Sequence, residues 1–189
     1  ARQFANNEHP FNMLVSGQDA KTIAAKHPDT TQSIGQRVSD NTLSIIGGLE
    51  QELASPLLSN ESTVHQLSLG RNSIEKSFGC QPTIFARRRF GITPSLPNIL
   101  QSFGYAGAIH ASFESGSVPD AGGGIMRWNG DGDEPILASC DVPMDANDAT
   151  TFLRLSIRLG EMIDSAHSAT ALLTHYPDTT SEFLQDLLT

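Results

Sequence analysis

Three consecutive arginines, Arg87, Arg88 and Arg89, follow the short apolar run Thr83-Ile84-Phe85-Ala86. Adjacent guanidinium groups are costly to leave without partners, so they require carboxylates or an anionic ligand. Two carboxylates, Glu50 and Glu52, stand two residues apart after another apolar run, Leu43 to Ile46, and the pair Gly47-Gly48. His110 closes a third run, and His175 and Asp178 lie just beyond a fourth. If all three arginines continue their strand, alternation points Arg88 opposite to Arg87 and Arg89, so one or two of them face a common site. The set has acid or base candidates in Glu50 and Glu52, and substrate-binding candidates in Arg87, Arg88, Arg89, His110, His175 and Asp178.

Each of these residues sits at the end of an expected strand, and helical patterns separate the strands. Phe11 to Val15 is a short apolar run, Gly17 to Lys26 has helical composition, and a break with Asp29 as cap leads to a second helix over Gln32 to Ser39. A long helix is expected from Pro56 to Phe78, ended by Gly79 in the position a C-terminal cap favours. A Pro-started helix then runs from Pro94 to about Gly104, and Tyr105 to Ile109 is the next strand. The turn Asn129 to Glu134 between Ile125–Trp128 and Ile136–Ser139 reads as a β-hairpin, because Asn-Gly and Asp-Gly favour such turns. A helix over Ala149 to Ile163, with Phe152, Leu155, Leu159 and Met162 as its buried stripe, is followed by a strand over Ala169 to Leu173 and a last helix over Ser181 to Leu188. Strands alternating with helices imply a parallel α/β sheet or barrel, whose active groups gather on the loops at one rim.

Several other patterns read as structural. His27-Pro28-Asp29 lies between two helices, and Glu61 and His65 share a solvated helix face. Asn60-Glu61-Ser62, a formal glycosylation acceptor, falls inside a helix, and no helix or Lys-Ser/Thr follows Gly122-Gly123-Gly124 to make a phosphate loop. Cys80 and Cys140, in no metal-ligand spacing, are expected as buried free thiols.

The chain has 189 residues, with 12 Lys and Arg against 21 Asp and Glu, for a formal net charge of −9. That length suits a single domain. An acidic chain without a basic tail is a poor partner for nucleic acid or an anionic membrane. No run of eighteen apolar residues would span a membrane.

In order along the chain come Gly47-Gly48, an acidic segment, His65-Gln66-Leu67-Ser68-Leu69-Gly70, Phe78-Gly79-Cys80-Gln81-Pro82, Phe90-Gly91 and Pro94-Ser95-Leu96-Pro97. This series resembles the N-terminal catalytic domain of glycoside hydrolase family 38, the α-mannosidase group, and more loosely the family 57 and polysaccharide deacetylase barrels. The family carries Gly-Gly-Trp, Asp-Gln-Met-x-Leu-Gly, Phe-Gly-x-x-Pro and Asp-Pro-Phe-Gly-His-Ser at matching places. The resemblance covers roughly residues 11 to 185. It implies a (β/α)7 barrel, here an incomplete fragment of one within a longer chain, with a carbohydrate substrate and a substrate-contacting zinc ion.

The family's nucleophile, which also binds zinc, is the Asp of Asp-Pro-Phe-Gly, and Arg88 occupies the matching position. A guanidinium neither attacks an anomeric carbon nor ligates a cation. Gly91-Ile92-Thr93 replaces Gly-His-Ser, and no His-x-Asp or His-Ser-His motif of the first strand is present; zinc ligands are therefore not evident. Retaining hydrolysis needs two carboxyl groups about 5 Å apart, for which Glu50 and Glu52 are the candidates. Two expectations follow: a carbohydrate-active enzyme domain that takes anionic sugars such as sugar phosphates or uronic acids, or a catalytically silent sugar-binding or scaffold domain of the same fold.

Overall fold

The strands and helices alternate as the pattern requires. In the computed structural model, which describes residues 10–53, 57–89, 91–111, 124–132, 134–146, 148–166 and 171–174, β1 (Phe11–Val15) leads through α1 (Gly17–Lys26) and α2 (Pro28–Ser39) to β2 (Leu43–Gly47). The long helix α3 (Asn60–Phe78) precedes β3 (Ile84–Ala86), and α4 (Leu96–Ser102) precedes β4 (Gly107–His110). Then come β5 (Ile125–Trp128), β6 (Ile136–Cys140), β7 (Met144–Asp145), α5 (Ala149–Ala166) and β8 (Leu173–Thr174).

Pairing is parallel except at one edge. β1 lies parallel to β2 with Val15 opposite Gly47. A second sheet has the order β3-β4-β6-β5, parallel across β3, β4 and β6, with His110 opposite Cys140. β5 returns antiparallel onto β6 as the expected hairpin. β7 and β8 pair separately, and β2 packs beside β3. The ladders do not close into a ring among the described residues. This is an α/β fold of barrel-like parallel sheets that forms only part of a barrel.

Two clusters hold the strands. Val15, Ile34, Leu43, Ile45, Ile74 and Phe78 pack where α2 and α3 cover β1 and β2. Leu67, Phe85, Leu100, Tyr105, Trp128 and Ile136 pack where α3 and α4 meet the second sheet. Tyr105 joins the two sheets: its hydroxyl donates to the Gly47 carbonyl at 3.0 Å. Its ring stacks edge-on against Phe85. No described helix is long and apolar enough to cross a membrane.

Helix starts differ from the sequence expectation. α2 begins at Pro28, not Gln32, because proline at the first helical position leaves no stranded N–H. His27 is its capping residue, without a side-chain bond, and Asp29 lies in the first turn rather than at the cap. α3 begins at Asn60, where the Ser59 side chain accepts from the Ser62 amide, and Gly79 ends it in the left-handed conformation. Glu61 and His65 are exposed on α3, and Cys140 is buried while Cys80 is half-buried. On α5, Leu155 is buried and Leu159 half-buried; the side chains of Phe152 and Met162 lie outside the described set, as does the expected helix over 181–188.

Candidate functional site at the strand rim

The segments that follow β1, β2 and β3 meet at one rim, and Arg88 is their common contact. Its guanidinium Nη2 donates to Asp19 Oδ2 at 2.8 Å, and its main-chain N–H donates to Glu52 Oε2 at 2.8 Å. Its Nη1 stands 3.8 Å from Glu52 Oε1. Asp19 arrives there because Ser16 and Asp19 form a capping box at the start of α1, where each satisfies a main-chain N–H of the other. Burial alone would raise the Asp19 carboxyl, but the hydrogen bonds from Arg88 and from the Ser16 side chain and main chain hold it below the usual carboxylate range.

Glu50 is placed two residues before Glu52 but turned elsewhere. Its Oε1 takes Lys21 Nζ at 2.6 Å and its Oε2 takes the Ser73 hydroxyl at 2.9 Å. It thereby ties α1 to α3. The close approach depends on two glycines: a Cβ on Gly17 would collide with Glu50 Oε2 and the Gly70 backbone, and one on Gly70 would collide with Gly48 O, Leu49 C and Glu50 N.

Arg87 is buried, and its guanidinium donates to the carbonyls of Leu53 at 2.6 Å and Gly91 at 3.1 Å. Burial makes it less basic than usual; Glu52 works against that shift and Arg89 with it. Arg87 and Arg89 both line a small cleft with Phe85, Ile92, Ile109 and His110, and Arg88 does not. The side chains therefore alternate, although β3 itself stops at Ala86. The interior of the cleft is about 10 Å³, the size of one water molecule.

His110 is buried at the end of β4 with its ring edge-on to Trp128, 4.3 Å between centroids. Burial lowers its pKa to about 4, so it is neutral at physiological pH. One strand over, Asp141 follows β6 directly; it is 4% exposed and its Oδ2 accepts from the Ser139 hydroxyl at 3.1 Å. The structure thus adds Asp19 and Asp141 to the rim. The signals for them were a Ser-x-x-Asp box right after β1 and an acidic residue at the end of an apolar run. His175 and Asp178 lie outside the described residues.

The described residues do not make up a donor set for the implied zinc. Among the described residues no three His, Cys, Asp or Glu side chains gather closely enough to hold an ion. Asp19 and Glu52 do meet, but around a guanidinium.

Comparison with known proteins gives the same architecture. No curated protein sequence matches significantly. Among solved structures, a protein of glycosyl hydrolase family 38 from Enterococcus faecalis superimposes with a TM-score of 0.67 at 14% identity, covering 98% of this chain and 21% of that one. A 4-alpha-glucanotransferase from Thermococcus litoralis gives 0.64 at 17% identity, covering 91% and 27%. A putative polysaccharide deacetylase from Mycobacterium smegmatis gives 0.58 at 13% identity, covering 92% and 60%. At these identities the likeness establishes the fold, and the chain spans about a quarter of the first two proteins. The family model for the glycosyl hydrolases family 38 N-terminal domain matches residues 5–184, nearly the whole sequence, and the chain belongs to that family.

Proposed function

We propose that this domain binds a carbohydrate at the strand rim, favours sugars that carry a negative charge, and does not perform the family's retaining hydrolysis. The observation that carries this reading is Arg88. It stands at the position that the resemblance gives to a nucleophilic, metal-binding aspartate, and it is ion-paired to Asp19 and hydrogen-bonded to Glu52. The Arg88 guanidinium helps hold the Asp19 carboxyl as the anion, which makes it a weaker proton carrier. Arg87 and Arg89 supply positive charge along one cleft, whose interior is no larger than a water molecule, so the charged group of a sugar would sit at its mouth on the rim. The substrate's remaining contacts, and further domains of the same polypeptide, belong to the proposal.

Calorimetric titration with glucuronate, glucose 6-phosphate and glucose tests the reading. The charged sugars are expected to bind more tightly than glucose. Arg89→Ala is expected to weaken them by about 1.5 to 3 kcal/mol, the usual worth of a hydrogen bond to a charged group, without affecting a neutral sugar. Equal binding of charged and neutral sugars would remove the anionic preference, and no binding of any sugar would remove the function. A second reading keeps hydrolysis, with Glu50 or Glu52 as acid or base; membership of a hydrolase family favours it. Against it, both Glu50 oxygens are already engaged by Lys21 and Ser73.

A further inference from the structure

We propose that Arg88 is a built-in cation that takes the place of a metal ion at this rim. A bridging cation at the carboxyl ends of parallel strands gathers carboxylates from different loops and fixes them relative to one another. Arg88 does this for Asp19, from the first turn of α1 after β1, and Glu52, from the segment after β2, while it is itself anchored just beyond β3.

Three further features make the arrangement exclusive. Asp19 Oδ2, the oxygen turned towards Arg88, already accepts from the Arg88 guanidinium, the Ser16 hydroxyl at 2.8 Å and the Ser16 N–H at 3.2 Å, so a metal ion could use that oxygen only by displacing one of them. A divalent ion placed between Asp19 and Glu52 would meet the guanidinium charge at close range, with repulsion strengthened by partial burial. No side chain can be added as a ligand at position 17, where a Cβ would strike Glu50 and the backbone of Gly70. The substitution of a guanidinium for an ion therefore goes with a site in which the guanidinium already stands between the two carboxylates. The inference shares Arg88 with the proposed function, but it is read without any sugar, so either can fail alone.

The test uses the full chain. Metal content is measured on purified wild-type protein, and melting is followed with excess zinc and with a chelator. The wild type is expected to carry no stoichiometric zinc and to melt at one temperature in both conditions. Arg88→Ala is expected to lower the melting temperature by about 3 to 6 °C, with Arg88→Lys recovering part of the loss because the charge is kept. Arg88→Asp, which turns the guanidinium into a third carboxylate, is expected to gain a zinc-dependent rise in melting temperature. Stoichiometric zinc in the wild type that is lost in Asp19→Asn overturns the proposal, as does an Arg88→Ala protein that melts with the wild type or an Arg88→Asp protein indifferent to zinc. Should a variant fail to fold, the metal content of the wild type and of Asp19→Asn still decides the matter.

Discussion

Gly70→Ala probes the packing that positions the rim. Gly70 lies on the face of α3 against the Gly48–Glu50 segment, and a Cβ there would stand closer than 3.0 Å to Gly48 O, Leu49 C and Glu50 N. All three are backbone atoms, so no side chain can swing away. Either α3 or the segment must move, at the expense of the Glu50 N–H bond to the Gln66 carbonyl, which is 2.9 Å long. Overpacking of this kind costs about 1 to 3 kcal/mol, and backbone obstacles put Gly70 at the upper end. Replacing glycine by alanine inside a helix returns about 1 kcal/mol. The net expectation is a loss of about 2 kcal/mol, or a fall in melting temperature of about 4 to 8 °C for a chain of this size. Thermal and urea melts measure it, with Gly79→Ala as control; Gly79 has φ of 75° but nothing within 4 Å of an added Cβ, so its cost is that of the backbone alone. A Gly70→Ala protein as stable as the wild type would refute the claim that helix and rim segment are in direct contact.

Other perturbations follow from the same geometry. Burial lowers the His110 pKa from 6.5 to about 4, so the unfolded chain binds the extra proton first, and stability is lost as pH falls from about 6.5 towards 4. At about 1.4 kcal/mol per pKa unit the full effect is about 3 kcal/mol, and His110→Phe should flatten that part of a stability–pH curve; an unchanged slope would contradict it. Glu50→Gln should cost about 1 to 2 kcal/mol, chiefly from the Ser73 bond, since the Lys21 partner is 57% exposed and its pair is screened. Sugar affinity measured on that variant should stay at the wild-type value, and a large loss would put Glu50 in the binding site. Tyr105→Phe leaves the Gly47 carbonyl without its donor and should lower stability by about 1 to 3 kcal/mol in a urea melt.

Much of the scaffold is legible in local sequence chemistry. Gly47-Gly48 marks the turn after β2 and Gly79 the end of α3, each through a positive φ, and Asn129-Gly130 falls between the paired strands β5 and β6. Helix starts were less legible. Pro28 is compatible with both a break and a first turn, and only packing decides that α2 begins there. The rim was legible as a place, because polar residues recur after β2 and β3 and at the end of β4. The partnerships within it were not. Asp19 and Arg88 are 69 residues apart and meet only because β1, β2 and β3 lie side by side. Nor does any local pattern tell that Glu50 turns towards Lys21 and Ser73 while Glu52 turns towards Arg88, since the division depends on the space left by Gly17 and Gly70.

The most direct test of a binding rather than hydrolytic rim is the release of 4-nitrophenol from a panel of aryl glycosides, α-mannoside included, by the full-length protein with zinc supplied. The account predicts no release above the uncatalysed rate. Turnover that disappears in Glu52→Gln and persists in a surface control such as Glu61→Gln would contradict it.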